Sequence, residues 1–123
     1  MSFEKFTEVG KVFRPKISIR SGGQMGFNQG SRNKFELDKY GYVVLYFDRE
    51  NDKIGIKLTN DKNAEGAITL HKRELDVAIS AKSFLYCYDI NFHETAIYDP
   101  IWDAENEMIV LDLKKQNKND NLK

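Results

Sequence analysis

The chain has 123 residues, 41% hydrophobic and 12% aromatic, enough for one packed core and too apolar for wholesale disorder. Its 19 Lys/Arg balance 19 Asp/Glu, so it is not the strongly basic chain that marks many nucleic-acid binders. No run of 18 apolar residues is present, and Met1-Ser2-Phe3-Glu4-Lys5 lacks a basic-then-apolar signal pattern, so no membrane segment and a cytoplasmic location are expected.

The balance conceals an asymmetry. Residues 1–60 carry 11 Lys/Arg against 7 Asp/Glu, and residues 61–123 carry 8 against 12. A split of this kind can set one polar face aside for a partner. Cys87 is the single cysteine, which rules out an intrachain disulfide. Its neighbours Phe84-Leu85-Tyr86 and Tyr88 suggest a thiol packed as a small core hydrophobe.

In chain order, Ile17-Ser18-Ile19 alternates as a half-buried strand, Ser21-Gly22-Gly23 turns, and Gln24-Met25-Gly26-Phe27 forms a second short strand. Asn28 is a suitable N-cap for a helix through about Leu37, with Phe35 facing inward and Gly30 loosening the first turn. Tyr42–Phe47 is β-branched and aromatic, Asp48–Asp52 is a polar turn, and Lys53–Leu58 alternates strictly; together they predict a β-hairpin. After a polar linker at Asn60–Gly66 the pattern restarts. Ile68-Thr69-Leu70 matches the first strand and Val77-Ala78-Ile79 the second, with Ser80 in the N-cap place of a helix over Ala81–Tyr88. Thr95–Trp102 reads as a strand interrupted at Pro100, and Met108–Leu113 closes the last hairpin. Residues 114–123 are polar and are expected to fray.

The restart extends to sequence. Phe47–Leu58 (FDRENDKIGIKL) aligns without a gap on Trp102–Leu113 (WDAENEMIVLDL) at a constant offset of 55, with identities at 48/103, 50/105, 51/106, 54/109 and 58/113. This predicts one domain made of two pseudo-repeats, about 16–58 and 67–113. The expected fold is mainly β (α+β), with duplicated β-β-α-β-β units forming an intertwined, swapped-hairpin-like β-barrel with two short helices. A single unit of some 45 residues is too small to bury a core alone, so pairing two copies has a physical rationale.

Gln24–Leu37 followed by a hairpin resembles the AbrB-type swapped-hairpin DNA-binding unit. Phe27 falls on the isoleucine of that pattern, Arg32 on a helix arginine, Phe35 on the helix leucine and Leu37 on the following isoleucine. Asn28 replaces the usual proline, Gln24 the usual arginine and Glu36 the usual glycine. In the second unit Phe84 and Leu85 stand where helix arginines would be, which dedicates that copy to packing. The resemblance implies a DNA-binding, transcription-regulator-like protein or an antitoxin-like one.

The basic residues that fit this reading are Lys11, Arg14, Lys16 and Arg20, on and before the first strand, with Arg32 and Lys34 on the first helix. Such side chains neutralise phosphates, and arginine also reads guanine edges. Arg32, taken as an exposed contact, is expected to be removable with little loss of stability. Alternative partners are a basic protein docking on the acidic second half or on the 114–123 tail, or single-stranded nucleic acid stacking on the aromatic residues. Either a monomer or a homodimer is compatible with the duplication.

Catalytic and metal chemistry find little footing. Ser21–Gly26 lacks the Gly-Lys-Ser/Thr ending of a phosphate loop. Asp48–Asp52 lacks the glycine and the distal acid of a calcium loop. His71, Cys87 and His93 have no metal-ligand spacing, and no motif places a serine beside a histidine. The sequence therefore predicts no enzyme, no metal and no cofactor.

Overall fold

The computed structural model describes residues 2–7, 9 and 14–116. Lys11 and the tail beyond Gln116 lie outside the described residues. The first β-unit runs β1 (Ile17–Ile19), β2 (Gln24–Phe27), α1 (Gln29–Lys34), a 3-10 turn (Leu37–Lys39), β3 (Tyr42–Asp48) and β4 (Lys53–Thr59). The second runs β5 (Ile68–Thr69), β6 (His71–Lys72), β7 (Val77–Ser80), α2 (Lys82–Cys87), β8 (Ala96–Tyr98), β9 (Ile101–Asp103) and β10 (Met108–Asp112).

These strands form two antiparallel five-stranded sheets, ordered β6-β7-β2-β1-β8 and β5-β3-β4-β10-β9. The expected closed barrel is not what forms. At two corners the chain passes from one sheet to the other, at Leu70 between β5 and β6 and at Asp99-Pro100 between β8 and β9. Pro100 has no N–H to give, so the ladder cannot continue through that corner. Ile17, Ile19, Met25, Phe27, Val77 and Ile79 from one sheet meet Val43, Ile54, Ile56, Ile109 and Leu111 from the other in one buried cluster. Leu37 and Leu85 close it from the helical segments.

The registers of the two central ladders are self-complementary. Gly26 lies opposite Ala78, flanked by Met25 opposite Ile79 and Phe27 opposite Val77. Gly55 lies opposite Val110, flanked by Ile54 opposite Leu111 and Ile56 opposite Ile109. Each ladder thus places a residue against its own counterpart in the sequence alignment. The outer ladders match as well. Ile17 and Ser18 face Tyr98 and Ile97, while Ile68 and Thr69 face Val43 and Tyr42.

Local details recur in the same pairs. In each hairpin the turn aspartate takes both amide groups of an asparagine three residues on. The Asn51 main chain donates to Asp48 at 3.1 Å and its side chain at 2.9 Å; Asn106 does the same to Asp103 at 3.2 and 2.9 Å. These bonds, the side-chain one foremost, hold both carboxyls below the usual aspartate range. Each turn then ends on a residue in the left-handed region, Asp52 at φ 58° and Glu107 at φ 54°.

The helices are shorter than the sequence suggests. Asn28 caps α1 by accepting from the Ser31 main chain at 2.9 Å, as expected. The helix stops at Lys34 because Glu36 adopts φ 54°, the place where the AbrB-type pattern has glycine. Asp89 at φ 54° does the same after α2. Ser80 does not cap α2: it remains the last residue of β7, and Ala81 takes the N-cap place without a side-chain bond. Cys87, expected in the core, is exposed at the end of α2. No helix among the described residues is long and apolar enough to cross a membrane.

Candidate nucleic-acid interface

The candidate cations divide into two groups. Arg20 leaves β1 and lays its guanidinium across β2 above Gly26, where a Cβ would stand 2.0 Å from its Nη2. Only glycine leaves that track open. The guanidinium thereby reaches Asp76, at the start of β7, with Nη2 3.0 Å from Oδ2. Arg73 closes on the same carboxylate with Nε 2.8 Å from Oδ1 and Nη2 2.9 Å from Oδ2. The hydrogen bond from Arg73, then that from Arg20, hold the Asp76 carboxyl below the ordinary range against the opposing effect of burial.

Arg32 joins this node from α1. Its Nη1 donates to the Arg73 carbonyl at 2.7 Å, and its Nε and Nη2 reach Asp38 at 3.0 and 2.9 Å. Its side chain keeps 15% of its accessible surface. Arg32 is therefore not the exposed side chain that was expected: it ties α1 to the β6–β7 turn, and its removal leaves the Arg73 carbonyl and the Asp38 carboxylate without this donor, while the Asp76 carbonyl keeps the Arg73 main-chain N–H at 2.8 Å. Lys72 Nζ donates to the Tyr40 carbonyl on the same side. Four cations (Arg20, Arg32, Lys72, Arg73) thus lie with three carboxylates (Asp38, Glu74, Asp76) around the β6–β7 turn, an excess of one positive charge.

Lys16 is largely buried, with Nζ 2.6 Å from Asp99. Its main chain is locked by Asn28, whose Oδ1 accepts from Lys16 N at 3.0 Å and whose Nδ2 donates to the Arg14 carbonyl at 2.9 Å. The cap residue thus fixes the segment before β1 against the start of α1. Arg14 and Lys34 are exposed and form no ion pair among the described residues, although Lys34 Nζ lies 5.7 Å from the Phe35 ring centroid. Lys11 lies outside the described residues.

The structure therefore brings Arg20 and Arg32 together through partners that sequence reading missed. Arg73 and Asp76 stand three residues apart, a spacing typical of a local ion pair, and that was the available signal. The 56-residue separation of Arg20 from Asp76 offered none.

A direct prediction concerns the glycine track. Gly26→Ala should drive the Arg20 guanidinium off Asp76 and cost about 1–2 kcal/mol, the range of one charged hydrogen bond in a half-exposed setting. Thermal melts of a double-mutant cycle check it. In an Arg20→Ala background the same substitution should be neutral or slightly stabilising, because alanine loses less chain entropy than glycine. An equal penalty in both backgrounds would mean that the Cβ disturbs β2 itself.

Among the described residues, no three His, Cys, Asp or Glu side chains are grouped so as to hold a metal. No protein-family model, no curated protein and no solved structure matches this chain.

Proposed function

We propose that the protein binds DNA through the phosphate backbone, as a transcription-regulator-like protein built from two swapped-hairpin-like units in one chain. The observation that carries this reading is the node at Asp76, where three arginines are held in fixed orientation with positive charge in excess. Guanidiniums ordered beforehand keep the surface around them fixed, so little conformational entropy is lost when a phosphate arrives. Arg14 and Lys34, exposed at the ends of the segment that Asn28 clamps, supply the direct phosphate contacts. Arg20 and Arg32 act as supports that set the surface, with Arg73, 48% exposed in its side chain, at its rim.

The duplicated-unit part of the proposal is supported by the two self-complementary ladders, the matched outer ladders and the paired turn geometry. The asymmetry between units fits a single binding face. α1 carries Arg32 and Lys34, whereas α2 turns Leu85 into the core and packs Phe84 against Phe47 and Tyr88.

Fluorescence anisotropy of a labelled duplex across a salt titration tests the reading. Affinity should fall linearly in log salt, with a slope near −0.9 for each phosphate neutralised. Replacing both Arg14 and Lys34 by alanine should lower the magnitude of that slope by about 2 and leave the melting temperature within about 2 °C. A duplex that fails to bind at about 50 mM salt, where phosphate contacts are strongest, would overturn the proposal. A single strand binding more tightly than the duplex would redirect it to the exposed aromatic residues.

A further inference from the structure

Each short helix ends on a ring that meets another ring at the foot of a hairpin turn. Tyr88, the C-cap of α2, lies 4.9 Å from Phe47, and Phe35, the C-cap of α1, lies 6.3 Å from Trp102. Phe47 and Trp102 are counterparts, each standing directly before a turn aspartate. The two contacts differ in what covers them. Phe84, four residues before Tyr88, adds a third ring 6.4 Å from Phe47 and 5.1 Å from Tyr88, and the Arg49 guanidinium lies over Tyr88 at 5.0 Å. Four residues before Phe35 stands Ser31, whose hydroxyl donates instead to the Lys16 carbonyl at 2.8 Å. Ala104 holds the place of Arg49. Trp102 therefore has one ring neighbour among the described residues and is 45% exposed, whereas Phe47 packs against the core.

Alternation and charge decide what can cover the indole. Trp102 pairs with the buried Ile109, so its side chain lies on the inner side of β9 with Phe35, while Ile101 and Asp103 point to the outer face. The Asp103 carboxylate is taken up by donors of its own turn. On the α1 side the Lys34 ammonium lies 5.7 Å from the Phe35 ring centroid, so the indole and a cation share one ring. An uncovered π surface beside a cation suits a flat ring tethered to an anion, and a nucleotide has both. A neutral aromatic side chain from a protein partner fills the same gap but leaves Lys34 without an anion.

We propose that Trp102 is a stacking platform for one unpaired nucleobase whose phosphate is met by Lys34, so that the protein prefers a duplex with a single-stranded end to a fully paired one. The inference rests on the DNA-binding reading above and deepens it. Paired bases are already stacked on their neighbours and have no free face for the indole. Any base can serve, since every base has a π-face. Glu105 and Glu107 in the adjoining turn repel phosphate, which directs the strand along α1.

Trp102 is the only tryptophan of the chain, so its emission reports on the site directly. The probes are a blunt duplex, the same duplex with a short thymidine overhang, and the overhanging strand alone, compared at about 50 mM salt. The overhang should quench Trp102 and tighten binding about tenfold relative to the blunt duplex, within the range of one base–aromatic stack. Trp102→Leu keeps an apolar side chain against Phe35, and its melting temperature verifies the fold. That variant should bind the blunt duplex as the wild type does and lose the advantage of the overhang. Equal affinity for the two duplexes, or an overhang preference that survives Trp102→Leu, would overturn the platform and leave duplex binding intact. A blunt duplex that fails to bind while the single strand quenches Trp102 would overturn the duplex reading and leave the platform standing. Absence of quenching by all three probes would overturn the platform and leave the uncovered ring to a protein side chain.

Discussion

Phe27→Ala is expected to cost about 3–5 kcal/mol, the largest single effect in the molecule, measured by urea denaturation with an unchanged m-value. Phe27 is fully buried at the end of β2, where it pairs with Ile17 on one side and Val77 on the other. It therefore sits at the seam where the two halves of the chain meet. Truncation removes the aromatic area and leaves a cavity bounded by strand backbones on both flanks, which cannot close without breaking their ladders. A domain of this size has about 5–15 kcal/mol of total stability, so the variant should be marginal at 37 °C. Val77→Ala, at the opposing ladder position, removes less volume and should cost about half as much. A Phe27→Ala loss below about 1.5 kcal/mol would mean that the two sheets repack around the vacancy, and hence that the core is far less specified than its register implies.

The features legible in the sequence were those whose cause is local. The β3–β4 hairpin follows from alternation and a five-residue polar turn, and its pairing from Tyr42 opposite Thr59 to Asp48 opposite Lys53 is what that pattern dictates. The Asn28 cap, the inward Phe35 and the break at Pro100 have the same local origin. What escaped was set by tertiary context. Nothing in Glu36 announces a left-handed residue, yet it ends α1 three residues sooner than the apolar pattern suggests, and Leu37 is delivered to the core by the 3-10 turn instead. Cys87 sits in an apolar run but on the outer side of a two-turn helix, where Leu85 has already taken the core position. The corner at Leu70 depends on which sheet each neighbour joins, and no periodicity encodes that. The basic residues were legible as charges and illegible as partners, because a lysine or arginine on a strand end looks the same whether it faces solvent or a carboxylate 56 residues away.

That last distinction leads to the second large effect. Asp76→Ala is expected to destabilise the protein by about 2–3 kcal/mol, lowering the melting temperature by about 10 °C. The carboxylate receives three charged hydrogen bonds, two from Arg73 and one from Arg20, and its side chain is only 22% exposed. Ordinary surface ion pairs contribute about 0–1 kcal/mol. This one should exceed them because one acid orders two guanidiniums, and Arg32 rests on the carbonyls of Arg73 and Asp76. The cost stays below that of a fully buried pair because Arg20 and Arg73, at 33% and 48% exposure, can recover water when the acid is gone. The pH dependence has a definite sign. The folded carboxyl is depressed, chiefly by the Arg73 hydrogen bond, so its contribution is fully present above the unfolded value of about 3.9 and is lost as pH falls through the lower folded value. Asp38, depressed chiefly by its hydrogen bond from Arg32, adds to the same acid window. The wild-type chain should therefore lose stability steeply below about pH 4, and Asp76→Asn should lose it less steeply while starting lower. Duplex affinity separates support from contact: Asp76→Asn raises the net charge by one, yet it should weaken DNA binding at matched salt if the ordered guanidiniums set the surface from which Arg14 and Lys34 meet the phosphates. Tighter binding in that variant would mean that charge alone governs the surface and that the ordering of the arginines serves the fold only.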